Sequence, residues 1–212
     1  WAREMCIRDR RRTYLCICEG QQETMYLAHI ARLLTHFPER VVKFNTTIGS
    51  PSELKKHYEE YDSAALFDQD GCQNAFEEGI RVCQALDRSG QRSRSKKHVY
   101  HAYSNVNFDL WLILHKEDFT RPVASNDAYV PDVRRIYRLG READIKEINV
   151  IDRILHQITL DDVRSAIHRA DAIRSAKPSS DAKNIHGATC YGNPDFSLHT
   201  FLRTVLMEVG EI

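Results

Sequence analysis

The chain has 212 residues, 42% of them hydrophobic and 28% charged, with 30 Lys and Arg against 30 Asp and Glu. That profile fits one ordinary soluble domain, and nine Gly and six Pro are too few for low-complexity disorder or a collagen-like repeat. Zero formal charge argues against a grip on nucleic acid by bulk charge, so any such binding needs a local patch.

Residues Trp1 to Arg10 fit no periodic pattern, and residues 1–12 are set apart from the fold as non-native or disordered. Thr13 to Cys18 (TYLCIC) reads as a buried strand, followed by a tight turn at Glu19-Gly20 and a helix from Gln21 to Thr35. Val41 to Thr47 is a second strand. Ser50-Pro51 then starts a helix over Glu53 to Glu60, with Pro at its favoured first position. Ala64 to Phe67 is a third strand, ending at Asp68-Gln69-Asp70-Gly71. A helix from about Asn74 to Leu86 and a fourth strand, Val99 to Tyr103, follow. This alternation predicts an α/β core over residues 13–123, built on a mainly parallel four-stranded sheet flanked by helices.

Residues 124–212 read as a helical portion packed on that core. Phe108 to His115 forms a buried helix just before it, and Ala143 to His156 and Leu160 to Ser175 form further helices. Thr159 with Asp162 three residues on makes an N-terminal cap. Lys177 to Asn193 is expected as a polar loop, and a last helix starts at Asn193-Pro194 and ends at Gly210. The longest apolar run, Leu110 to Leu114, is far short of the ~20 residues of a membrane span. Six cysteines without a CxxC pair, and no signal peptide before them, point to free thiols in the cytoplasm. Cys16 and Cys18 share one strand face and read as buried hydrophobes rather than as metal ligands.

Three acids carry the functional reading. In an open parallel sheet, ligands bind beyond the carboxyl ends of the strands. Glu19 follows the first strand, and Asp68 and Asp70 follow the third, so neighbouring first and third strands would gather all three at one edge. Mg²⁺, or Mn²⁺ in its place, takes one or two carboxylates and leaves its other positions to water and phosphate oxygens. The competing reading is that such acids are helix caps or turn residues.

The segments CEGQQETMYL (Cys18 to Leu27), LFDQD (Leu66 to Asp70) and YSNVNFDLWLILHKED (Tyr103 to Asp118) resemble RloB-like proteins, which carry a Toprim-type domain. The similarity runs from about Thr13 to the C-terminus. The resemblance implies Mg²⁺-dependent cutting or joining of phosphodiesters, with Glu19 as general acid/base and Asp68 and Asp70 as metal ligands. It also implies a role in phage resistance by abortive infection, beside an AAA-type ATPase partner. Many members read E-G-x-x-T-E, whereas Glu23 stands four residues after Glu19 here, and its role is left open.

Ser104 and Asn105 should arrive at the same edge. Asn105 and Asp109 could bond a phosphate-bound water or support the groups that do; the competing reading is that Asn105 or Asn107 merely caps the helix. Phe108, Trp111 and His115 share a helical face, so His115 reads as a core histidine first and a catalytic candidate second. For the nucleic acid, DNA or RNA, Arg88, Arg92, Arg94, Lys96 and Lys97 form an acid-free tract before the fourth strand, at the edge opposite the acids. Arg134, Arg135, Arg138 and Arg141 form a second cluster that suits ion pairing on a helix. Two rivals are a non-catalytic interaction subunit and a haloacid-dehalogenase-type phosphatase. LFDQDGC approaches the motif of the latter, but two strands precede Asp68 and Cys72 stands where that motif has Thr.

Overall fold

The computed structural model describes residues 12–35 and 41–212. The expectation for the N-terminal segment lies outside them, except that Arg12 is already the first residue of a strand. In chain order, β1 (Arg12–Cys18), α1 (Gln21–Leu34), β2 (Val42–Ile48), a 3-10 turn (Pro51–Lys56), β3 (Asp62–Asp68), α2 (Gln73–Arg92) and β4 (Val99–Asn105) form the α/β core. Then come α3 (Asp109–Leu114), a 3-10 turn (Asn126–Tyr129), α4 (Val130–Ile136), α5 (Ile148–Leu155) and α6 (Leu160–Ser175). After a 3-10 turn (Ser179–Asp181), the short strands β5 (Lys183–Ile185), β6 (Ala188–Cys190) and β7 (Asp195–Phe196) lead into α7 (Leu198–Val209).

The main sheet has the order β2-β1-β3-β4-β7. The first four strands are parallel, as the alternating pattern predicts. The predicted four strands become five because β7 adds itself antiparallel to β4, pairing Asn105 with Asp195. The stretch expected as a polar loop therefore holds the β5–β6 hairpin and leads directly into a sheet edge. Three-residue strands leave no period-2 pattern long enough to read. Three predicted helices are also shorter, the last of them starting at Leu198 rather than at Asn193-Pro194 because β7 takes Asp195 and Phe196. The one expected over Glu53 to Glu60 is the 3-10 turn, and the one from Ala143 to His156 begins only at Ile148. Its first residues form turns, with Asp144 accepting from the Lys146 N–H at 2.9 Å.

Alternation along the strands divides the core. Tyr14, Cys16, Cys18, Ala64, Leu66 and Ala102 face a large apolar layer built with α1 and α3 through α7. Ile17, Ala65, Phe67, Val99 and Tyr103 face a smaller layer under α2 and the hairpin. The larger layer runs without a break from the α/β core into the C-terminal helices. Both strand cysteines are buried, and burial pushes the Cys18 thiol up to about 12. Thr159 caps α6 through Asp162, as its spacing predicts.

Helix α2 lies tightly on the end of β3, one residue before Asp68. A Cβ on Gly79 would meet the Phe67 ring at 2.9 Å, so glycine at this position is what permits the close approach. No helix among the described residues is long and apolar enough to cross a membrane.

Candidate active site at the sheet edge

Strands β1 and β3 are neighbours, with Cys18 opposite Leu66, and β4 continues the edge with Ser104 opposite Asp68. Glu19, Asp68 and Asn105 therefore emerge at one edge, at the carboxyl ends of three adjacent parallel strands. The turn is tied twice. The Glu19 N–H donates to the Leu66 carbonyl at 2.9 Å, and the Asp68 N–H donates to Oε2 of Glu19 at 2.7 Å. Asp70 lies two residues further on, exposed, before a turn closed by Gly71 at φ 93°.

Electrostatics mark this edge. Burial raises the Glu19 carboxyl above its ordinary range, and Asp70 adds to the effect. Burial raises Asp68 well above its own, with Glu23 and Glu19 pushing in the same direction. Glu23, whose role the sequence leaves open, is buried on α1 and accepts from the Gly20 N–H at 3.1 Å. It too is raised, first by burial. Such mutual repulsion is a common signature of a functional carboxylate cluster.

Asp109 is 1% exposed at the start of α3. Its Oδ1 accepts from Gln22 at 3.2 Å and from Lys146 Nζ at 2.9 Å, while Oδ2 has no partner among the described residues. Its N–H donates to Asn107 Oδ1 at 3.1 Å, so of the two asparagines it is Asn107 that bonds the start of α3. Lys146 also donates to Gln22 Oε1 at 2.8 Å and lowers the Glu23 and Asp68 carboxyls electrostatically. No sequence signal identifies Lys146. It lies in a segment read as helix, and only the tertiary fold brings it here.

Three clefts meet at Asp70. One, of about 680 Å³, runs past Asp68, Asp109, Arg134 and Lys146. A second, of about 460 Å³, runs past Glu19, Pro51 and Gly79. The third, of about 580 Å³, runs past Asn105, Asn126 and Tyr191.

Other predicted residues lie elsewhere. His115 is 1% exposed in the large apolar layer, bonded to the Tyr26 hydroxyl at 3.0 Å and the Trp111 carbonyl at 2.8 Å. Burial lowers its pKa to about 3. It is a satisfied core histidine rather than a catalytic one, because no substrate reaches it. Arg88 and Arg92 belong to the last turns of α2, and Arg94, Lys96 and Lys97 to the connection into β4. They sit at the amino end of that seven-residue strand, about 20 Å along it from the acids. In the second cluster, Arg135 pairs with Glu117 at 2.7 Å and with Asp132 at 3.4 Å, whereas Arg134 faces the acid-lined cleft.

The donor set fits a hard divalent cation. Every polar side chain of the acid cluster offers oxygen, and the raised carboxyls call for positive charge. No group of three His, Cys, Asp or Glu among the described residues already converges on a metal position. Mg²⁺ needs only one or two protein carboxylates, with waters completing its octahedron. Glu19 and Asp68 would hold it, with Asp70 at the mouth.

No curated protein and no solved structure matches the chain. The family model described as RloB-like protein matches residues 14–195, spanning β1, the acid edge and the strand pair at Asn105 and Asp195, and the chain belongs to that family.

Proposed function

We propose that this RloB-like chain is a Mg²⁺-dependent nuclease of the Toprim type, hydrolysing or nicking phosphodiesters of DNA or RNA in phage defence together with an AAA-type ATPase. The observation that supports it best is the pairing of Glu19 and Asp68 across adjacent parallel strands, with Asp70 beside them. A bound Mg²⁺ supplies charge for the scissile phosphate and a more acidic water.

The chain's own residues supply the rest. Glu19, raised by burial and held by the Asp68 N–H, is suited to accept a proton from the attacking water and return it to the leaving oxygen. Lys146, bonded to Asp109, and Arg134 are the cations that line a cleft otherwise rich in acids, where a phosphate backbone would need the charge of the metal as well. The remote tract from Arg88 to Lys97 suits flanking backbone rather than the reacting phosphate.

The test is a panel of plasmid DNA, single-stranded DNA and total RNA, with and without Mg²⁺ or Mn²⁺ and with any ATPase encoded beside the gene. Metal-dependent cutting supports the reading. Turnover of a small phosphomonoester with no cutting of nucleic acid overturns it.

A further inference from the structure

The cleft that Asp70 shares with Asn105 differs in chemistry from the acid-lined one. Its charged lining side chains are Asp70 and Lys183, and five carboxamides, those of Gln69, Gln73, Asn105, Asn126 and Asn193, line the remainder with apolar groups and Tyr191. Several of these amides are already committed. Asn193 clips the strap at Val123, accepting its N–H at 2.9 Å and donating to its carbonyl at 3.1 Å. Gln69 donates to Gln73 at 2.5 Å, and Gln73 to Glu77 at 2.6 Å. Nearby, Asn107 is occupied at both ends, donating to the Asn126 carbonyl at 3.1 Å and accepting from the Asp109 N–H at 3.1 Å.

Asn105 is the exception. It is 6% exposed, yet its carboxamide makes no hydrogen bond to another described residue and lines the cleft. Asn126 lines the facing strap, and its side chain is likewise unbonded to the described residues. Neither carboxamide is sealed from solvent without a partner, so both are open in the cleft and free to bond what enters it.

We propose that this cleft takes one unpaired nucleobase of a single-stranded nucleic acid, with the Asn105 and Asn126 carboxamides reading its edge. A carboxamide places a donor beside an acceptor, the complement of a base edge, whereas a phosphate would call for more cations than Lys183 alone. Tyr191 also lines the cleft, with Arg174 and Lys177 at 5.2 and 5.8 Å from its ring centroid. About 580 Å³ is ample for a base with its sugar. Asp70 is common to this cleft and to the acid edge, so a base seated here lies next to that edge. A base locked in a duplex cannot enter, which selects single strands or an extruded nucleotide.

The inference rests on the nuclease reading for its substrate class, but its test does not need cleavage. Fluorescence anisotropy in EDTA at fixed salt would compare homopolymeric DNA strands, homopolymeric RNA strands, an abasic strand of equal length and a blunt duplex. Base-bearing strands are expected to bind about tenfold or more tightly than the abasic strand and the duplex. Asn105→Ala and Asn126→Ala should each reduce that preference about fivefold or more, with circular dichroism confirming the fold. If Asn105→Ala does not fold, Asn126→Ala decides. The DNA and RNA arms show which sugar is preferred.

Equal binding of abasic and base-bearing strands overturns the inference. So does no binding of any strand, or an unchanged preference in folded variants. Base-dependent binding without cleavage under any metal condition leaves the inference standing and removes the nuclease reading. Metal-dependent cleavage without base preference does the reverse.

Discussion

The ammonium of Lys146 lies 2.9 Å from Oδ1 of Asp109, so a turn from the C-terminal half neutralises an acid buried at the edge of the parallel sheet. Lys146→Met would leave Asp109 with only Gln22 on that oxygen. Because the Lys146 side chain is 52% exposed, water screens part of the pairing. The expected loss is about 1–3 kcal/mol, below the ~3–5 kcal/mol of a fully buried broken pair. Urea denaturation of Lys146→Met, Asp109→Asn and the double variant would show the double variant recovering most of that loss. Additive losses would mean that the two side chains are not coupled.

A second ion pair fastens the fifth strand. Arg174 on α6 bonds to Asp195 at 2.8 Å and to the Phe196 carbonyl at 2.7 Å, while Tyr103 on β4 donates to the same fully buried aspartate at 2.5 Å. Arg174→Ala strands that carboxylate and should cost about 3–5 kcal/mol in chemical denaturation. A loss under about 1 kcal/mol would show that β7 docks without it.

The carboxylate cluster sets a pH dependence. Glu19, Glu23 and Asp68 are all raised, chiefly by burial, so the folded chain holds protons that the unfolded chain releases. Their contribution is full below the ordinary carboxylate range and is lost as pH rises through the raised values. Without divalent metal, thermal stability should therefore decline over that rise, and added Mg²⁺ should restore it. Asp68→Asn should stabilise the metal-free protein by about 0.5–2 kcal/mol and flatten the decline. A destabilised Asp68→Asn protein with an unaltered pH profile would contradict this.

Two buried histidines and the half-buried His101 act in the opposite direction. His115 is lowered to about 3, and His101 and His199 to about 4, in each case chiefly by burial. Their contribution is full above the ordinary histidine pKa and is lost as pH falls toward those values. Imidazole nitrogen NMR should find His115 neutral from pH 8 down to about pH 5. A His115 titration near 6.5 would place it in contact with solvent and reopen its candidacy as a catalytic group.

What the sequence conveyed depends on how local each signal is. Apolar runs of four to seven residues alternating with helical patterns, from Thr13 to Tyr103, located the parallel core and hence the shared edge of Glu19 and Asp68. The His115 face and the Thr159 cap were legible for the same reason, since both are set within a turn or two of helix. Lys146, the β7 pairing of Asn105 with Asp195, and the division of labour between Asn105 and Asn107 were not legible. The first two depend on partners dozens of residues away, through segments too short to carry a period, and the last is a choice between neighbouring asparagines that spacing leaves open.

The most direct measurement of the central claim is Mg²⁺-dependent cleavage of whichever nucleic acid the panel identifies, comparing the wild type with Glu19→Gln and Asp68→Asn at equal folded concentration. Each variant keeps the size of the side chain it replaces and removes one carboxylate from the edge. Both are predicted to lose at least about a hundredfold in rate, as expected for a proton-transfer group or a ligand to the metal. Cleavage by both variants at the wild-type rate, with the same Mg²⁺ dependence, would show that the chemistry lies elsewhere on the molecule.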